Sequence, residues 1–280
     1  MIDVSTAPGR LALLGPQVHV RTVPEIVREF GLADAPVATI TAGWEERERD
    51  DADLDQDLGG RTRNLGLFPR AEDVFRRDKD LRAAMYRRYD GMNQQAALYR
   101  AQLAPLMSTL RQVERRMAQG EDQLAPEREN CVRLLQELDA HRMRRVDELD
   151  AQVFTELHPT ERQEVARHRE EVRQILDGVG GVLIAGGHVG ILLNRLRLFG
   201  VLDLIRGLPI IAWSAGAMVL TERVVLFHDH PPEGKGDPEL HVRGLGVARG
   251  VVALPNASRR LNLGDDARVG AFAARFAGTP

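Results

Sequence analysis

A chain of 280 residues, 43% hydrophobic and 28% charged, is long enough to bury a large core as one long domain or two shorter ones. Its formal net charge of −3 gives no basis for nucleic acid or an anionic membrane as a partner, and a single cysteine, Cys131, excludes an internal disulfide and any multi-cysteine metal site. The opening "MIDVSTAPGR" lacks the basic-then-apolar order of a signal peptide, and no apolar run approaches about 18 residues; no membrane span is expected, and the cytoplasm is the expected location.

Residues 1–70 alternate strand and helix signals. "LALLGP" (11–16) and "PVATITAG" (36–43) are short apolar runs closed by Gly or Pro, the pattern of buried parallel strands. Between them "VPEIVREFGL" carries apolar residues at helical spacing and stops at Gly31. "NLGLF" (64–68) is a weaker strand signal.

Residues 71–158 differ in kind, being dense in Arg, Glu, Gln, Leu and Met. Met85, Tyr89, Met92, Ala96, Tyr99, Leu103, Leu106, Leu110, Val113 and Met117 step by fours and threes, a heptad seam that predicts a long helix with a kink or break at Pro105. After the turn in "QGEDQLAPEREN" a second helix is expected over about 126–157. The pair reads as an inserted antiparallel hairpin, and a seam of this length predicts a homo-oligomer joined through it. Arginines interleaved with carboxylates argue against a nucleic-acid face.

Residues 159–280 return to the α/β pattern. Thr160 with Gln163 forms a capping-box signature for a helix through about Leu176. "GVLIAGG" (181–187) is a buried strand ending in paired glycines, "VGILLNRLRLFGVLDLIRG" a helical stretch, and Pro209–Trp213 a strand. This order implies right-handed crossovers and a parallel sheet, with a site at the carboxyl ends of its strands. The fold expected is therefore a three-layer α/β domain from residues 1–70 and 159–280, interrupted by a helical hairpin over 71–158.

Within "PIIAWSAGAMVL", Ser214 falls where strand gives way to helix, with the small residues Ala212 and Gly216 two positions to either side. A tight strand-to-helix turn needs small residues there, and such a turn presents a serine as a nucleophile; an ordinary N-cap is the alternative. Gly186 and Gly187 permit a backbone N–H to turn toward that serine, and with the N–H of Ala215 this makes a two-donor oxyanion site. The glycines also fit a plain tight connection.

"AGGHVGILL", "IAWSAGAMVL" and "VVLFHDHPP" together resemble the dipeptidase E and cyanophycinase family of serine peptidases, whose fold is similar to that of class I glutamine amidotransferases. The likeness is close over about 180–260 and loose over 10–70, and it does not reach the hairpin. It implies Ser214 as nucleophile, Asp229 as the acidic partner, and Gly187 and Ala215 as oxyanion donors, with Ala212 standing for the usual elbow glycine. Small aspartyl or β-aspartyl peptides are the implied substrate class, with no cofactor or metal. The family histidine, usually preceded by proline, falls on Asn256 after Pro255 and the strand expected in "GVVAL". Asparagine has no titratable nitrogen near neutral pH. His188, His228 and His230 are the candidate replacement bases, with His188 also placed to contact a ligand. The rival expectation is a pseudoenzyme that keeps a binding pocket and uses the hairpin for assembly.

Overall fold

The computed structural model describes residues 9–227, 236–261 and 263–276. In chain order the elements open with β1 (Leu11–Leu14), α1 (Val23–Glu29), β2 (Val37–Ile40), α2 (Ala52–Asp57), β3 (Thr62–Asn64) and α3 (Leu67–Arg77). Two long helices follow, α4 (Lys79–Met117) and α5 (Ala125–Asp150). The chain then runs through α6 (Gln163–Leu176), β4 (Gly181–Ile184), α7 (Val189–Leu198), α8 (Val201–Leu204), β5 (Ile210–Trp213) and α9 (Ala215–Leu220). It closes with β6 (Arg223–Phe227), β7 (Pro238–Arg243), α10 (Ala257–Arg260) and α11 (Asp266–Phe276).

The fold is α/β: a five-stranded sheet in the order β1-β5-β4-β2-β3, every pair parallel, accompanied by helices, with the long α4 as an insertion. Strands β2, β4 and β5 are buried along their whole length, which is why they read as unbroken apolar runs rather than as alternating ones. Tertiary contacts divide the chain into two compact units, Met1–Tyr86 with Ala151–Val224 and Gly244–Pro255, and Arg87–Asp150 with Val225–Arg243 and Asn256–Pro280.

The first unit holds the parallel sheet. Leu183, Ala185, Ile211 and Trp213 share strand parity and pack with Val23, Val27 and Leu32, so one sheet face is closed by α1 and the segment after it. On the helical side α7 packs against α9, and α9 against β5. Two local expectations change here. The strand signal in 64–68 is realised one step earlier, as β3, because Gly66 in the left-handed region (φ 59°) turns Leu67 and Phe68 into the first residues of α3. Thr160 does not cap α6: it lies in a short 3-10 turn, Pro159–Glu161, and Arg162 occupies the N-cap without a side-chain cap.

The second unit is built on α4 from residue 87 onward and on α5, with β7 and α11. Its interior carries a polar lock. The Arg275 guanidinium donates to both oxygens of Asp139 at 2.7 Å, to the Pro238 carbonyl at 2.7 Å and to the Tyr99 hydroxyl at 2.6 Å. Tyr99 in turn donates to Asp139 at 2.7 Å and accepts the Leu240 N–H at 3.2 Å. One guanidinium thus joins α11, α5, α4 and β7.

Helix α4 continues through Pro105 without the expected break; Thr109 Oγ1 donates to the Pro105 carbonyl at 3.0 Å. Met92, Tyr99, Leu103 and Leu110 of the heptad seam are buried, but Tyr89 is 58% exposed, and Arg88 and Met107 are buried in the places expected for Tyr89 and Leu106. A straight helix turns every 3.6 residues, so its inner face drifts from a 3.5-residue seam. The second helix ends at Asp150 and passes into a π-helical turn, Ala151–Thr155. Among the described residues no helix is long and apolar enough to cross a membrane.

Candidate active site

Four neighbouring strands deliver their carboxyl ends to one place in the first unit: Gly15–Val18 after β1, Trp213–Ser214 at the end of β5, Gly186–Gly187 after β4, and Gly43–Trp44 after β2. Parallel order puts all these ends on one edge, where ligands bind in sheets of this kind.

Ser214 is the hinge between β5 and α9. Its backbone is at φ 53°, ψ −122°, a region that non-glycine residues occupy only when the surroundings force it. Its N–H donates to the Leu14 carbonyl at 3.1 Å and its carbonyl accepts the Met218 N–H at 3.1 Å, so sheet and helix both anchor the turn. Ser214 is the N-cap residue of α9 by position, but its side chain makes no cap hydrogen bond. The hydroxyl is left available on a sharp turn, as a nucleophile elbow requires.

The glycines around it are dictated by close approach. A Cβ on Gly186 would lie 2.8 Å from the Ser214 Cβ, and one on Gly216 would lie 2.2 Å from the Ile184 carbonyl. Gly187 is at φ 118°, and a Cβ there would fall 2.3 Å from the Gly43 carbonyl. That carbonyl accepts the His188 N–H at 2.7 Å, tying the loop after β4 to the loop after β2. Neither the Gly187 N–H nor the Ala215 N–H has a backbone acceptor among the described residues. Ser214, Gly186 and Gly187 all line one cavity of about 320 Å³.

His188 is the N-cap of α7: its Nδ1 accepts the Ile191 N–H at 3.2 Å, the ring has no carboxylate partner among the described residues, and it is not among the cavity-lining residues. His228, Asp229 and His230 lie outside the described residues. Asn256 belongs to the second unit, where it takes the left-handed conformation (φ 61°, ψ 36°) that asparagine tolerates and precedes α10. The strand expected in "GVVAL" is absent, since residues 251–254 form no regular structure. A buried histidine–carboxylate pair does exist, His168 Nε2 with Asp73 at 3.0 Å, but it joins α6 to α3 beside Arg70, Arg167 and Glu171 and takes no part in the cavity.

Sequence reasoning missed several residues of this edge. Gly43 was visible only as the end of a strand signal, Trp44 carried no signal, and Trp213 was only a neighbour of the serine. Glu45 repeats the Ser214 backbone (φ 60°, ψ −126°), and nothing in its local sequence announces that strain. Glu48 is buried, and its carboxylate accepts the N–H groups of Leu67 at 3.0 Å and Phe68 at 2.5 Å at the start of α3. Burial pushes its pKa up to about 7, against the lowering effect of those bonds and of nearby Arg195. Arg195 pairs with Glu72 at 2.9 Å and lies 5.2 Å from the Phe68 and Phe75 ring centres, while its buried Nε has no hydrogen-bond partner among the described residues. Among the described residues no group of His, Cys, Asp or Glu side chains is placed to hold a metal ion.

No family model matches the sequence, and no curated protein matches it. Among solved structures, the chain is similar to a crystal structure of a peptidase from an acI-B1 actinobacterium, with 12% identity, 96% of this chain and 76% of that chain covered, and a TM-score of 0.44. A likeness that distant carries neither activity nor mechanism.

Proposed function

We propose that the chain is a serine-type hydrolase of small peptides or amino-acid-derived amides and esters, with Ser214 as nucleophile. The observation that carries this reading is the strained Ser214 turn, held between β5 and α9 with its hydroxyl beside Gly186 and Gly187 in a cavity wall. In the reaction, Ser214 Oγ attacks the substrate carbonyl carbon, a base takes the hydroxyl proton, and the oxyanion accepts the N–H groups of Gly187 and Ala215. The base returns the proton to the leaving amine or alcohol as its bond to the acyl carbon breaks, and water then releases the acyl group by the same steps. Asp229 is the carboxylate assigned to orient the base. Asn256 cannot supply that base, and His188, His228 and His230 are the candidates for it; with none of them in reach, the serine is activated only slowly. The resemblance adds aspartyl or β-aspartyl peptides as substrate class, and the exposed Tyr89 and Leu98 of α4 support self-association through residues 71–158.

Asparagine at position 256 favours a second reading, a pseudoenzyme in which the cavity binds but the serine is not activated. Labelling with a fluorophosphonate separates the two. The hydrolase reading expects slow modification of the wild type, none of Ser214→Ala, and faster modification of Asn256→His. A wild type that labels rapidly and matches Asn256→His places the base at another histidine. Absence of labelling in both leaves the pseudoenzyme.

A further inference from the structure

Apart from Gly186, Gly187, Trp213 and Ser214, the wall of the Ser214 cavity comes from residues 16–58, where the resemblance is loose. Trp44 and Trp213 form its aromatic part, and Val18, Val23, Leu54 and Leu58 add aliphatic surface. Its charged groups are Arg21, Asp53 and Asp57. Arg21 is ion-paired to Asp57, which takes up the single cation, whereas Asp53 is exposed and has no ion-pair partner among the described residues. Gln17 adds no charge. Its Oε1 accepts the N–H groups of Thr22 at 2.7 Å and Val23 at 3.1 Å, and its Nε2 donates to the Gly15 carbonyl at 3.0 Å. The lining is therefore apolar and aromatic with an excess of one carboxylate. An aspartyl side chain would bring a further negative charge to it and find no uncommitted cation.

We propose that this cavity binds the N-terminal residue of a short peptide or amino-acid amide, with an apolar or aromatic side chain between Trp44 and Trp213 and its free ammonium on Asp53. The proposal rests on the hydrolase reading of Ser214 for its catalytic meaning, but the binding preference stands on the lining alone. A volume of about 320 Å³ is at the lower end for ligand pockets and suits a single residue. An ammonium gains from the unpaired carboxylate and from indole faces, as a carboxylate does not. Ser214 and Gly187 belong to the same wall, so the proposal seats the carbonyl next to that ammonium against the reacting hydroxyl.

The two tryptophans of the chain both line the cavity, so intrinsic fluorescence reports on it directly. The test titrates L-phenylalaninamide, N-acetyl-L-phenylalaninamide and the α-amide of L-aspartate into the full-length Ser214→Ala protein, which keeps the wall and cannot turn over. The expected result is saturable binding of phenylalaninamide, at least about tenfold tighter than the aspartyl amide and about fivefold tighter than the acetylated form. Asp53→Asn, an exposed change, is expected to erase the fivefold difference and keep the tenfold one. Equal or tighter binding of the aspartyl amide, indifference to acetylation, or no response to any of the three overturns the proposal. Binding as expected with no turnover of phenylalanyl dipeptides by the wild type overturns the hydrolase reading and leaves the cavity assignment intact.

Discussion

The two units bury carboxylates in opposite ways. Asp139 of the helical unit has both oxygens held by the Arg275 guanidinium and one also by the Tyr99 hydroxyl. Among the described residues the Glu48 carboxylate of the sheet unit is hydrogen-bonded to two backbone N–H groups, while Arg195, the cation that lowers its pKa most, is engaged by Glu72. Burial therefore raises the Glu48 pKa to about 7, so the sheet unit holds a carboxyl that titrates near neutrality. The edge that carries Ser214 uses neither device: it is held by backbone against backbone at Gly43, Gly186, Gly187 and Gly216. In the helical unit side-chain charge ties the helices to one another and to β7, whereas the parallel sheet brings loops so close that no side chain fits between them.

Three changes test this contrast. The largest effect is expected for Arg275→Met, which strands Asp139 in the interior; removing one partner of a buried pair costs about 3–5 kcal/mol. Chemical denaturation should show that loss, and the double change Arg275→Met with Asp139→Leu should recover much of it. A single change that costs under about 1 kcal/mol would mean that the lock is solvated.

Glu48 gives the next effect through pH. Its folded pKa is raised from 4.5 to about 7, so the folded state binds the proton more tightly than the unfolded chain. The contribution is fully present below pH 4.5 and is lost as pH rises through 7. Unfolding free energy should fall by about 3 kcal/mol across that window. Urea midpoints for Glu48→Gln at pH 4.5 and 7.5 should lie closer together than those of the wild type; an unchanged gap would assign the slope elsewhere.

Gly187→Ala is the smallest of the three and the most local. A Cβ 2.3 Å from the Gly43 carbonyl must shift the loop after β4. A displacement of about 1 Å at a reacting centre lowers rate roughly 100-fold. Fluorophosphonate labelling of Ser214 should slow by that order, in Asn256→His as background if the parent is too slow to follow. Labelling unaffected by the added methyl would remove Gly187 from the oxyanion site.

Much of the sheet unit was legible in the chain itself. Buried parallel strands carry their own signature, so β1, β2 and β4 stood out as apolar runs ended by Gly or Pro, and β5 as an apolar run ended by Ser214. The turn at Ser214 was visible because only small residues fit two positions to either side of it. The long helices were legible for a similar reason, since apolar spacing near 3.5 residues has one structural meaning. The seam was displaced at Tyr89 and Leu106 because a straight helix does not keep a heptad register.

Tertiary structure alone decided the rest. Nothing near Glu48 in sequence says that its carboxylate meets the start of α3, and nothing near Arg275 says that it reaches Tyr99 and Asp139. The cavity wall joins Val18 after β1, Trp44 and Asp53 between β2 and β3, and Trp213 at the end of β5, which become neighbours only when parallel strands set their carboxyl ends side by side. Local sequence determines the conformation of each segment, because backbone sterics and apolar period act over a few residues. Which charges are paired and which surface faces the serine depends on contacts between residues far apart in the chain, and those exist only once the sheet has formed.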